Sequence, residues 1–279
     1  MKRNQILLVN DLPGVGRVAL SAAIPIFSAL GFSIRTLPTA LVSNTLDFGL
    51  FHILDTTDYM KHAINIWQQL GFSFDSISAG FLANEKQVEI IEELIYMNRA
   101  IDPFVVVDPI MGDNGKLYNG IDPERISTMA SLCKHGNIVT PNMTEALMLT
   151  GCTENLPDKL TMTDCRTLIN DFRKISPKSI VITSICLSDT SDKHGIAGWN
   201  HEKKEEFFIP YNHISTHFPG TGDVFSSVMT GSYLKGETLI DSIKKASDFV
   251  CTLLTDSPQT GDNRAGLFIE KYLYLLKQN

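Results

Sequence analysis

Phe104-Val105-Val106-Val107-Asp108-Pro109 is the stretch on which the fold turns. Four apolar residues in a row, three of them β-branched, read as a strand buried on both faces, because a half-exposed strand alternates apolar with polar. Strands of that kind belong to parallel sheets whose crossovers are helices. Asp108-Pro109 ends the run, since proline cannot donate to a ladder and restricts the residue before it.

The same alternation extends outward in both directions. Upstream, Ile6–Val9 reads as a strand, Val18–Leu30 as a helix and Ile34–Val42 as a strand region interrupted by Pro38. Asp58–Leu70 follows as a helix, Asp75–Ala79 as a strand, and Asn84–Arg99 as a helix with Asn84 at its N-cap. Downstream, Ile138–Thr140 and Ile180–Thr183 are strands, with helices at Asn142–Leu149 and Thr163–Ile175. Strands His194–Trp199 and Glu206–Tyr211 come next, then helices Thr221–Leu234, Leu239–Leu254 and Gly266–Leu276. Gly31, Gly71 and Gly151 each close an apolar helical run, as left-handed C′ glycines do. No linker, repeat or charge block interrupts the pattern. Residues 1–279 therefore read as one α/β domain, doubly wound, with a mostly parallel central sheet and helices on both faces.

Composition narrows the function. The 279 residues are 43% hydrophobic and 20% charged, with 24 Lys and Arg against 31 Asp and Glu and a formal net charge of −7. An acidic chain is not a nonspecific nucleic-acid binder, which must displace counterions with basic groups, although a local phosphate pocket stays open. Ile6–Val9 is too short for a signal-peptide core, and no run approaches the ~20 apolar residues of a membrane span, so the expectation is a cytoplasmic protein without membrane contact. Five cysteines without a CxxC pair do not suggest a disulfide framework. His213 and His217 are four apart, but in a strand-like, proline-flanked context that does not suit a helical zinc pair.

The strand ends are polar: Asn10-Asp11, Ser43-Asn44, Gly80, Asp108-Pro109, Thr140-Pro141-Asn142 and Thr183-Ser184. In a doubly wound sheet the ligand crevice lies beyond those carboxyl ends, so the chemistry is expected along that edge. Two glycine patterns compete for a phosphate. Gly14-Val15-Gly16-Arg17-Val18-Ala19 has the form of a dinucleotide fingerprint, but Asn10–Pro13 separates it from the strand and the second strand ends without a ribose-binding acid. Pro219-Gly220-Thr221-Gly222-Asp223 opens a helix instead, where bare amides and the helix dipole favour an anion. Asp223 there either accepts a proton from an attacking hydroxyl or merely complements the dipole. Asp108 and Glu145 suit a magnesium ion completed by substrate phosphates, while Asn142 and Glu145 equally have the spacing of a capping box. Asp113-Asn114-Gly115 can likewise be a simple turn.

Taken together, Asp108–Tyr118 (DPIMGDNGKLY), Thr140–Ala146 (TPNMTEA), Ile182–Ser184 and Gly220–Asp223 (GTGD), in that order, resemble the pyridoxal kinases of the ribokinase-like superfamily. The resemblance runs from about Gln5 to Tyr272. It implies ATP-dependent phosphorylation of the 5′-hydroxymethyl group of a B6 vitamer (pyridoxal, pyridoxine or pyridoxamine), with ATP and Mg2+ as cofactors and a monovalent cation as an optional third. By the same resemblance Asp223 is the catalytic base and Gly220, Thr221 and Gly222 the anion hole. Asp108, Asp113, Lys116, Tyr118, Thr140, Asn142, Thr183 and Ser184 fall on the ATP side. Asp108 and Glu145 fall near the metal, and Asp11, Ser43, Thr45 and Phe81 join Asp223 on the substrate side. A homodimer is implied by superfamily analogy. One departure bears on the substrate: where relatives carry His-Thr-Gly after the second strand, Leu46 and Asp47 occupy the Thr and Gly positions. The alternatives are a hydroxymethylpyrimidine kinase or a non-catalytic B6 or nucleotide sensor of the same fold. Dual-step pyrimidine kinases typically have Cys where Asp223 stands, which favours the pyridoxal side.

Overall fold

The computed structural model describes residues 4–118, 121–152, 156–176, 178–188, 193–257 and 262–277. The strands along the chain are β1 (Gln5–Pro13), β2 (Ser33–Val42), β3 (Ile53–Asp55), β4 (Ser76–Ala79), β5 (Phe104–Val107), β6 (Gly112–Asp113), β7 (Lys116–Leu117), β8 (Ile138–Val139), β9 (Ser179–Leu187), β10 (Lys193–Asn200) and β11 (Glu205–Pro210). The helices are α1 (Ala19–Ala29), α2 (Thr57–Gln69), α3 (Glu85–Met97), α4 (Arg125–Cys133), α5 (Met143–Leu149), α6 (Met162–Ile175), α7 (Thr221–Leu234) and α8 (Leu239–Asp256). Contacts group the chain into two compact units, one of Met1–Ala83, Tyr96–Pro103 and Ile214–Asn279, the other of Asn84–Ile95 and Phe104–His213.

In the first unit β1 lies between β4 and β2, both parallel to it, and β3 pairs antiparallel with β2. Ile6, Leu7, Leu8 and Val9 are all buried, as a strand covered on both faces requires. α1 packs on β1 and against α7. Gly231 permits that approach, because a Cβ there would sit 2.4 Å from Leu30 Cδ1. α7 is buried on all sides from Val224 to Ser232, which its small Ser, Thr and Gly residues allow. β2 carries Pro38 and slips register against β1 just beyond it, between the pairs Asn10–Pro38 and Leu12–Leu41. Such bulges redirect side chains at functional edges.

In the second unit β8 lies between β5 and β9 in a parallel set, and β10 and β11 continue it antiparallel. Val105–Val107 and Ile180–Ile182 are buried, with α5 and α6 packed on β9. The Asp113–Lys116 segment is a hairpin turn joining β6 and β7, with Asn114 (φ 51°) and Gly115 (φ 75°) both left-handed. Asn-Gly favours this geometry, since asparagine tolerates positive φ and glycine has no Cβ to oppose it.

Several sequence expectations shift. Gly266–Leu276 is not one α-helix: Gly266 has φ 81°, and the helical part, Glu270–Leu276, is a 3₁₀ helix. The helix expected to reach Arg99 stops at Met97, with a 3₁₀ turn over Arg99–Ile101. Asn84 does cap it, its side chain accepting from the Gln87 amide at 3.1 Å. Gly31, Gly71 and Gly151 all have positive φ, as C′ glycines require. The sequence reading did not include α4, whose buried stripe is confined to Met129, Leu132 and Cys133, nor β3, whose residues are all exposed.

Candidate active site

Within the first unit the end of β1, the loop after β4 and the head of α7 meet around Asp223. Asn10 is the link. Its Oδ1 accepts from the Asp11 amide at 3.0 Å and the Phe81 amide at 2.9 Å, while its Nδ2 donates to Asp223 Oδ1 at 3.4 Å. The Phe81 carbonyl in turn accepts from the buried Thr39 hydroxyl at 2.8 Å, at the β2 bulge. Asp223 also accepts from the Ala19 amide. Ala19 holds φ 48°, an unusual conformation for a residue with a Cβ.

Burial pushes the Asp223 carboxyl up to about 6 from its ordinary 3.8, against the lowering effect of the Ala19 and Asn10 hydrogen bonds. Asp11 is pushed up to about 7, by burial first and by the Asp223 charge second. Two carboxyl groups in one partly buried space oppose joint ionisation.

The glycines in this unit have separate roles. Gly220 has φ 84°, and a Cβ there would lie 2.4 Å from the Arg17 carbonyl oxygen. Gly222 is different: a Cβ would meet nothing within 4 Å, so the fold does not require glycine at that position. The amides of a helix's first turn lack intrahelical partners, and here they open beside an unobstructed backbone. Gly14 and Gly16 belong to packing. A Cβ on Gly16 would overlap Thr45 Cγ2, and one on Gly14 would crowd the Ser43 carbonyl at 3.0 Å. β1 runs on through Pro13, so Gly14 follows the strand directly and Asn10–Pro13 is not the spacer that the sequence suggested. What sets these glycines apart from a dinucleotide loop is their packing against Ser43 and Thr45.

The segment after β2 forms a 3₁₀ turn, Leu46–Phe48. The Ser43 hydroxyl donates to Asn44 Oδ1 at 2.7 Å and accepts from the His52 amide at 2.8 Å. Thr45 is buried and its hydroxyl donates to the Arg264 carbonyl. Asp47 pairs with His217 at 3.5 Å, and the Arg264 guanidinium stands over the Phe48 ring at 4.7 Å. Leu46 is exposed. Asp11, Phe81 and Asp223 are thus gathered through Asn10, whereas Ser43 and Thr45 hold the neighbouring turn together. Sequence reasoning placed Asn10 beside Asp11 on the polar edge without giving it a role, and passed over Thr39; the structure puts Asn10 within β1, which runs on to Pro13.

In the second unit the ends of β5 and β8 and the middle of β9 bring together most of the remaining expected residues. β9 runs on to Leu187, so Thr183 and Ser184 lie within the strand and not at its expected end. The Thr140 amide donates to the Val107 carbonyl and the Thr183 amide to the Pro141 carbonyl, each at 2.9 Å. Asn142 caps α5: its Oδ1 accepts from the Glu145 amide and its own amide donates to Glu145 Oε2, both at 2.9 Å. Asn142 Nδ2 donates to the Gly112 carbonyl at 2.8 Å. Glu145 Oε1 accepts from the Met111 amide at 3.0 Å and the Gly112 amide at 3.4 Å. Burial nevertheless pushes this carboxyl up to about 8. The capping box is therefore real, and the same acid also anchors the loop that follows Asp108. The Gly115 amide donates to the Thr144 hydroxyl at 2.9 Å, docking the hairpin turn that carries Asp113 and Lys116. Lys116 and Tyr118 are exposed beyond it. Ser184 has φ 59° and bonds the Tyr211 side chain, a strained conformation of the kind retained at functional edges. Among the described residues no group of three or more His, Cys, Asp or Glu side chains forms a metal cluster. Magnesium does not need one, because nucleotide phosphates and water complete its shell.

These sites lie on a chain with clear relatives. A Bacteroides thetaiotaomicron protein provisionally named a phosphomethylpyrimidine kinase, solved with pyridoxal, is 33% identical with a TM-score of 0.92, covering 99% of this chain and 96% of that one. The pyridoxine/pyridoxal/pyridoxamine kinase of Bordetella avium is 24% identical over 254 residues, 88% of this chain and 84% of its own length. A Schizosaccharomyces pombe protein provisionally named a pyridoxal kinase is 26% identical over 208 residues, 72% of this chain but only 59% of its own length. The pyridoxal kinase of Lactobacillus plantarum shares the fold, with a TM-score of 0.86. The central sheet is accordingly mostly parallel with helices on both sides, as the alternating strands and helices predicted, in the ribokinase-like arrangement that the motif resemblance implied. The phosphomethylpyrimidine kinase profile matches residues 20–267, and the chain belongs to that family.

Proposed function

We propose that this chain is an ATP-dependent kinase that phosphorylates the 5′-hydroxymethyl group of pyridoxal, pyridoxine or pyridoxamine. The observation that carries the reading is Asp223, held by Asn10 and Ala19 at the head of α7 with its carboxyl raised to about 6. A base tuned toward neutral pH suits removal of a proton from an alcohol. The substrate hydroxyl gives its proton to Asp223 as its oxygen attacks the γ-phosphorus. The bond to the bridging oxygen breaks and ADP leaves. The amides of Gly220, Thr221 and Gly222 stabilise charge on the transferring group. Pyridoxal in the Bacteroides thetaiotaomicron structure supports a vitamer as acceptor.

Asp11 and Phe81 form the vitamer side with Asp223, Ser43 and Thr45 shaping its wall through the turn they support. On the nucleotide side Asp108, Thr140 and Asn142 follow the ends of β5 and β8, Thr183 and Ser184 lie beside them within β9, and Asp113, Lys116 and Tyr118 belong to the hairpin that covers ATP. Asp108 would hold the magnesium ion, and Glu145, whose two oxygens accept three backbone amides, would support the site by fixing the 111–112 backbone and not as a direct ligand. Magnesium supplies charge neutralisation on the phosphates. The two units work as a single kinase domain, and the reading includes a cytoplasmic homodimer by superfamily analogy.

The second reading is a hydroxymethylpyrimidine acceptor, favoured by the description of the matched family. The test is ADP release from Mg-ATP with pyridoxal, pyridoxine, pyridoxamine, hydroxymethylpyrimidine and ribose. Fastest turnover with a vitamer is expected; turnover with the pyrimidine alone establishes the second reading. Binding of a vitamer without ADP release would leave a sensor and overturn both.

A further inference from the structure

Asn10 makes three contacts that cannot be interchanged. Its Oδ1 is pinned by two backbone donors, the amides of Asp11 and Phe81 at 3.0 and 2.9 Å. A carboxamide oxygen that accepts twice leaves only the NH2 group for the opposite side, and that side faces Asp223 Oδ1 at 3.4 Å. The neighbouring chain is shaped to the side chain: a Cβ on Gly80 would lie 2.5 Å from Asn10 Nδ2 and 2.8 Å from its Cγ. Thr39 holds the other end of the Phe81 peptide through its carbonyl. The orientation of the amide is thus determined by the backbone around it rather than by Asp223.

We propose that Asn10 is a positioning residue for Asp223, orienting its carboxylate by donation from Nδ2 and tying that orientation to the Phe81 backbone. The inference rests on the reading of Asp223 as the base, and it adds a residue that reads substrate-side geometry into base geometry. A shift of the Phe81 peptide moves Oδ1, and with it the donor that Asp223 faces. The groups that act on Asp223 are Asp11 from β1, which is titratable, the Ala19 amide from α1 and Asn10 itself, with the uncharged Phe81 peptide behind Asn10. Asp11 therefore has to be followed in the same experiment.

The experiment compares wild type, Asn10→Ala and Asn10→Asp by carboxyl-carbon NMR titration on Asp-labelled protein, with Asp223 and Asp11 assigned through Asp223→Asn and Asp11→Asn. Asn10→Asp keeps an acceptor for both amides and so keeps the local fold, but it offers Asp223 an acidic oxygen in place of a donor. In both variants the Asp223 midpoint is expected to rise by about one pH unit or more, more in Asn10→Asp, since a hydrogen bond to the charged form is lost. The acid limb of kcat/KM should move with it, and kcat should fall by at least about tenfold with KM for ATP unchanged. An unchanged Asp223 midpoint in both variants overturns the proposal, whether or not the wild type turns over. A midpoint that shifts in the variants, when the wild type phosphorylates no acceptor, upholds the positioning and removes the kinase reading alone.

Discussion

In the proposed reaction Asp223 has to keep enough proton affinity to act as a base and still be ionised near neutral pH. Burial raises it to about 6, and the Ala19 and Asn10 donors stop it from going higher. Replacing it with Asn should lower kcat by ~10²–10⁴-fold while leaving nucleotide binding intact, measured by ADP release and calorimetric titration. With Asp223, the proposed base, at about 6, kcat/KM should drop as pH falls below that value, by about tenfold per pH unit once the carboxylate is the minor form. The two glycines before it should separate cleanly. Gly220→Ala sets a Cβ against the Arg17 carbonyl at φ 84° and should lower stability by about 1–3 kcal/mol, read as a fall in Tm. Gly222→Ala meets no atom of the chain and should leave Tm unchanged while depressing kcat, because the added methyl intrudes only on what approaches the amides. An equal loss of Tm in both variants would contradict this division.

At the scale of elements, local chemistry was readable and weakly patterned segments were not. Asn142 with Glu145 three residues on has the spacing of a box, and both bonds form. Asn142→Ala removes that cap and the contact to the Gly112 carbonyl together, and should cost about 1–2 kcal/mol in denaturant unfolding. The Asn114-Gly115 turn was equally legible, because its conformation follows from two residues. β3 was not, since an exposed edge strand of three residues leaves no apolar run to read. Gly266–Leu276 had helical spacing, but the chain follows i→i+3 bonds there, as from the Tyr272 amide to the Ile269 carbonyl. Periodicity does not separate that pattern from an α-helix over so short a span.

Among the described residues, the carboxyl groups of Asp11, Asp223 and Glu145 are raised above their ordinary values, to about 7, about 6 and about 8. Each binds its proton more tightly folded than unfolded, so the stability it contributes is complete below about pH 4 and is lost as pH rises through those values. Asp11→Asn should therefore raise Tm by a few degrees, and by more at pH 8 than at pH 5, in scanning calorimetry. A gain independent of pH would mean that Asp11 titrates normally. What the amino-acid order determined alone was the alternation of buried strands and amphipathic helices, the parallel sheet and the edge where its polar ends lie, because burial period and turn chemistry are local properties. It also marked Asp223 and the glycines ahead of it. Only the tertiary structure decided that Asn10 faces Asp223 across 213 residues, that Gly14 and Gly16 serve packing, and that the Thr45 hydroxyl bonds Arg264. Those are contacts between distant segments, and no spacing within either segment encodes which partner it will meet.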